Sequence, residues 1–111
     1  MIGAVASIDE QLAGLVEQLG AVVGDASLCT VSRAAGGPVP GVKYLEGGVM
    51  ALREARREVQ RGSERAAAVS AALERWRGEL ERARERELGR DWLSYRAGGV
   101  DALEDAANAS G

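Results

Sequence analysis

Two stretches of this chain carry one phrase. Tyr44-Leu-Glu-Gly-Gly-Val-Met-Ala-Leu52 and Tyr95-Arg-Ala-Gly-Gly-Val-Asp-Ala-Leu103 share the pattern Tyr-x-x-Gly-Gly-Val-x-Ala-Leu and use both tyrosines of the chain. An aromatic residue, a glycine pair and apolar residues at helical spacing suit a helix pressed backbone to backbone against another helix, because glycine has no side chain to hold the two apart. The repeat therefore speaks of packing and not of chemistry, and Tyr44, Gly47, Gly48, Tyr95, Gly98 and Gly99 are expected at helix contacts. Composition points the same way. Phenylalanine is absent, and the apolar content is mostly Ala, Val and Leu, so whatever packs here packs with its backbones close.

The elements follow from periodicity and end signals. Ser7-Ile8-Asp9-Glu10 has the form of a capping box, and Ile8, Leu12, Leu15, Leu19 and Val22 continue one apolar stripe, which predicts a helix over 8–23. From 25 to 41 the pattern dissolves. Residues 28–31 could form a short extended stretch, but Gly36-Gly-Pro-Val-Pro-Gly41 holds both prolines and cannot continue a helix or a central strand, so 25–41 reads as a loop. Beyond it, with Leu45 as heptad position a, the a series runs Leu45, Leu52, Val59, Ala66, Leu73, Leu80 and the d series Gly48, Ala55, Gly62, Val69, Trp76, Ala83. Gly62-Ser63 is the one place where a helix could end and restart. The heptad phase passes through it undisturbed, which favours a single long helix over 42–88, closed by Gly89 in the left-handed conformation. Asp91 can cap a last helix over 91–107, turned back along the end of the long one as in a helical hairpin.

The expected fold is one all-α domain over residues 1–111, an elongated, coiled-coil-like bundle with a long central helix flanked by two shorter ones. At 1.5 Å per residue the long helix would extend about 70 Å and each flanking helix about 24 Å, so part of the apolar seam would stay uncovered. Leu52, Ala55, Val59, Ala66, Val69, Leu73 and Trp76 are the candidate interface residues. A homodimer is favoured, since twofold pairing covers the same seam on both chains. The midpoint of Tyr44 and Tyr95 falls between Val69 and Ser70, which suits an antiparallel arrangement about an axis there.

Chemistry is constrained by what the chain lacks. Histidine is absent, which removes His-dependent triads and His metal sites, and the lone Cys29 can form neither an internal disulfide nor a thiolate zinc site. Cys29 reads as a buried, inert thiol in a reducing compartment. Glu79 with Glu81, and Glu85 with Glu87, stand two apart and point to different helix faces, so neither pair makes an acid and base couple. Trp76-Arg77-Gly78 resembles the Trp-x-Gly of small secreted helical-hairpin proteins, where it occupies a turn; here it lies inside the heptad run and carries no family assignment. No catalytic, cofactor-binding or metal-ligating residue is identified. The net charge of −3 and the acid-interleaved arginines disfavour nucleic acid, although Arg53, Arg56, Arg57 and Arg61 form a local basic turn. No signal peptide or membrane span is expected, so a cytoplasmic protein, or one within a phage particle, is. The functional expectation is a non-enzymatic assembly or adaptor module, such as a small phage or mobile-element structural accessory protein. The alternative is an inhibitor or regulator that engages its target through the 25–41 loop.

Overall fold

The computed structural model describes residues 7–22 and 29–109; the expected helix end at 23 and loop start at 25–28 lie outside them. The chain is mostly helical, with a small two-stranded sheet. In order it forms α1 (Ile8–Val22), β1 (Cys29–Ser32), β2 (Gly37–Pro40), α2 (Gly41–Gln60), α3 (Arg65–Glu85) and α4 (Arg90–Ala109). Ser7 opens α1 as its sequence signals, its Oγ accepting the Glu10 N–H at 3.0 Å. Ile8 and Leu12 from that stripe are buried in the core.

The long helix does not form. After Gln60 the chain turns through residues 61–64 and restarts at Arg65. Gly62 has φ +108°, and the Gly62 N–H donates to the Val59 carbonyl while the Ser63 N–H donates to that of Glu58. This is a Schellman closure, which satisfies the last carbonyls of α2 and makes ending the helix inexpensive. Heptad continuity across the turn reflects two stripes that face the same way: Leu52 and Ala55 of α2 share one core with Val69, Leu73, Trp76 and Leu80 of α3, and Leu45 and Ala83 are buried as well. Folding α3 back covers that seam within the chain, so the body measures 39 × 31 × 22 Å in place of a rod.

A second Schellman closure ends α3, with the Glu87 N–H on the Arg84 carbonyl and the Leu88 N–H on that of Ala83. The left-handed residue is Glu87, at φ 52°, and not Gly89 as the sequence suggested. The last helix also differs from expectation. It is central, not peripheral: every residue from Ala97 to Leu103 is buried, which a helix achieves only when other elements surround it on all sides. α2 and α3 pack on it, and the hairpin lies across it.

The 29–40 region is an antiparallel hairpin with Thr30 opposite Val39 and Val31 opposite Pro38. Prolines are compatible with it because this sheet has only edge strands, so their missing N–H groups can face outward. Cys29 is exposed, against the expectation of a buried thiol.

Candidate interaction surface

The repeated phrase forms the contact at the heart of the fold, within one chain. A Cβ placed on Gly47 would fall inside the Tyr95 carbonyl, 2.7 Å from its carbon, and a Cβ on Gly98 would fall inside the Tyr44 carbonyl, again 2.7 Å from its carbon. The two glycines thus seat each other's tyrosine backbone reciprocally across the α2–α4 crossing. The second glycine of each pair receives a side chain: Gly48 faces Leu15 of α1, and Gly99 lies beneath the Trp76 ring. The arrangement has the approximate twofold character expected of a dimer, but both halves belong to the same chain.

One of the three positions at which the two copies differ sets Met50 against Asp101. Met50 is exposed, whereas Asp101 is 2% exposed, within a buried and otherwise uncharged run of α4 from Ala97 to Leu103. Its carboxylate is fully engaged. Oδ2 accepts from the Ser32 hydroxyl at 2.8 Å and the Tyr44 hydroxyl at 2.7 Å, and Oδ1 accepts the Ala34 N–H at 3.1 Å. Arg33 lies outside, 3.0 Å from Asp105 and 3.6 Å from Glu104. A buried carboxylate is tolerated when hydrogen-bonded in this way. Burial, with the hydrogen bond to Asp101, pushes the Tyr44 phenol above its ordinary value. Ser94, also buried, donates to the Pro40 carbonyl at 2.7 Å. Asp101 and Ser94 therefore pin the hairpin at both ends, so the 25–41 region is not a free loop where it is described. Ser32 and Asp101 are sealed from solvent, and their geometry fits a structural lock. Asp101 was not singled out from sequence, although it is the only charge in the 97–103 run.

The predicted interface residues are mostly interior. Leu52, Ala55, Val69, Leu73 and Trp76 are buried against other elements of the same chain and Val59 is half-buried, so they are core and not an open seam. Ala66 is exposed, on the outer side of the first turn of α3. The basic turn lies on the outer part of α2, where Arg56 stands 3.5 Å from Asp9 and Arg61 2.8 Å from Glu58.

An exposed aromatic face lies at the α3–α4 junction. Trp92 is 53% exposed and Leu88 40%. Trp92 meets Tyr95 edge to face at 6.0 Å, and Tyr95 packs on Trp76 at 5.4 Å. The Arg96 guanidinium sits 4.8 Å from the Trp76 ring, 5.4 Å from Tyr95 and 5.8 Å from Trp92, and 3.5 Å from Glu79. Such contacts hold the arginine and the aromatic rings in one fixed constellation. Burial raises the Tyr95 phenol, and the hydrogen bond from Arg82 lowers the Glu79 carboxyl. Two shallow clefts flank Trp92. One of about 420 Å³ is lined by Lys43, Asp91, Tyr95 and Arg96, and one of about 190 Å³ by Glu79, Arg82, Arg86 and Leu88 among others. Lys43, Arg82, Arg86 and Arg96 outnumber Glu79, Asp91 and the Glu46 paired to Lys43 at 3.1 Å, so this face is slightly positive on a chain of net charge −3.

Among the described residues, no group of three or more potential metal ligands occurs, and no helix is long and apolar enough to cross a membrane. Comparison with protein-family models, curated proteins and solved structures finds no match for this chain.

Proposed function

We propose that this chain is a non-enzymatic protein-interaction module, an adaptor or assembly component, that binds through the Trp92 face. The observation that carries the reading is a half-exposed tryptophan braced by Tyr95 and Arg96 and bordered by Leu88, at the rim of two clefts. Tryptophan, tyrosine and arginine are the residues that dominate binding energy at protein interfaces, and a braced ring loses little freedom on docking. The positive surround favours a partner segment with acidic residues about an apolar side chain. The buried Ser32–Asp101–Tyr44 group has a structural task in this reading, which supports the non-catalytic assignment.

The second reading, an inhibitor or regulator acting through 25–41, draws support from the exposed outer side of the hairpin, where Val31 is 75% exposed. One experiment separates the two. Capture from the native host is compared for the wild type, Trp92→Ser and Val31→Ser, with thermal stability as the control for folding. Loss of a specific partner in Trp92→Ser alone is expected. Loss in Val31→Ser alone would move the recognition site to the hairpin, and retention in both would refute the Trp92 reading.

A further inference from the structure

We propose that the free edge of β1 is a self-pairing strand, which joins two copies of this chain through a twofold β1–β1′ contact into a four-stranded antiparallel sheet. The two edges of the hairpin are unequal. Pro38 and Pro40 have no N–H to give to β1, so the mutually hydrogen-bonded pairs are those of Thr30 with Val39 and Ser32 with Gly37. The outward edge of β2 is thereby stripped of donors at both prolines, and the Pro40 carbonyl is already taken by Ser94. By the same alternation, the N–H and C=O groups of Cys29 and Val31 point away from β2. No hydrogen bond reaches them among the described residues. Proline and charge are two of the devices that block an edge against further pairing, and four-residue β1 carries neither: its sequence is Cys-Thr-Val-Ser.

A second copy fits this edge better than an arbitrary strand. The outward groups lie symmetrically about Thr30, so an antiparallel pair with its axis there sets Cys29 opposite Val31′ and Val31 opposite Cys29′. That register satisfies every outward group of both residues on both copies. The uncharged strand meets itself without like-charge repulsion. Cys29 and Val31, both exposed, then extend one apolar face across the axis, covering the Val31 side chain, which is more exposed than any other large apolar group described. The contact is small against the roughly 1,200 Å² at which stable interfaces begin, so pairing is weak.

The test is sedimentation equilibrium of the full chain in reductant from micromolar to about millimolar concentration. The expected result is a weight-average mass rising from 11.6 kDa toward twice that value, with concentration-dependent amide shifts confined to Cys29–Ser32. Val31→Pro removes the outward donor while leaving the Thr30–Val39 and Ser32–Gly37 bonds intact, and should remain monomeric with unchanged helix content. Should that variant fail to fold, Val31→Lys, which keeps every backbone donor but sets two cations near the axis, should likewise stay monomeric. A wild type that is monomeric throughout, a Val31→Lys variant that dimerises as well as the wild type, or shifts centred on Leu88 and Trp92 would each overturn the proposal.

Discussion

Adding one methyl group to Gly47 should destabilise the protein, while adding the same group to Gly14 should stabilise it. In a helix interior, glycine to alanine contributes about 1 kcal/mol of stability through backbone entropy alone. At Gly14 nothing lies within 4 Å of the new carbon, so the full gain is expected. At Gly47 the new carbon would overlap the Tyr95 carbonyl and stand 3.1 Å from its Cα. Carbon atoms attract best at about 3.5 to 4.0 Å, and the obstructing group is helix backbone, which cannot rotate aside as a side chain can. α2 and α4 must separate, loosening Leu52, Ala55 and Leu103, each 0% exposed. Overpacking of this kind costs about 1 to 3 kcal/mol, and obstruction by backbone places Gly47→Ala at the upper end. After the propensity gain the net loss is about 2 kcal/mol, or a fall in Tm of roughly 8 °C at about 4 °C per kcal/mol for a chain this size. Gly14→Ala should rise by about 4 °C on the same scale. Thermal melts followed by circular dichroism at neutral pH measure both. Gly98→Ala should behave as Gly47→Ala does, since the crossing is reciprocal. A Gly47→Ala variant as stable as the wild type would refute the close approach.

Tyr44→Phe removes one of the donors to the buried Asp101 carboxylate and should cost about 1 to 2 kcal/mol near neutral pH. Because burial and the bond to Asp101 hold the Tyr44 phenol above its ordinary value of 10.0, the unfolded chain ionises first as pH rises. Stability should therefore fall from about pH 10 upward until the folded phenol also ionises, and less steeply in Tyr44→Phe, as chemical denaturation across that range would show. Glu87→Gly relieves a left-handed backbone at φ 52° and should stabilise by about 1 kcal/mol in thermal melts. Replacing residues 33–40 by a Gly-Ser linker should lower stability by roughly 2 kcal/mol or more, because it removes the buried Val39 side chain and frees the backbone whose Pro40 carbonyl and Ala34 N–H are held by Ser94 and Asp101; a melt unchanged from wild type would show the hairpin to be dispensable.

The helix-packing role of the repeat was readable because it rests on local spacing: a glycine pair one turn after a tyrosine can do little else in a helix. Which chain supplies the partner was not readable. Pairing of the two phrases within one chain requires the turn at 61–64, whose sign in the sequence is Gly62-Ser63, obscured by a heptad phase that runs straight through it. Of the seam residues, Leu52, Ala55, Val69, Leu73 and Trp76 are covered by the same chain and Ala66 is exposed, so the seam itself offers no ground for a dimer. The hairpin was hidden for another reason. Its strands are four residues each, two of the eight are proline, and the group that pins it, Asp101, is 69 residues from Ser32. A clue existed in the repeat itself, where aspartate replaces Met50 inside an otherwise uncharged run. Trp92 and Arg96 could be placed on the last helix but not on an open face, because exposure there depends on how far α3 and its closing turn extend.

The reciprocal crossing within a single chain is tested most directly by nuclear Overhauser contacts between the Gly47 and Tyr95 α-protons and between the Gly98 and Tyr44 α-protons. The predicted result is a strong contact in each pair, unchanged on dilution and absent between chains in a mixture of differently labelled protein. Contacts appearing only between chains, or no contact in a protein whose four helices are intact, would contradict it.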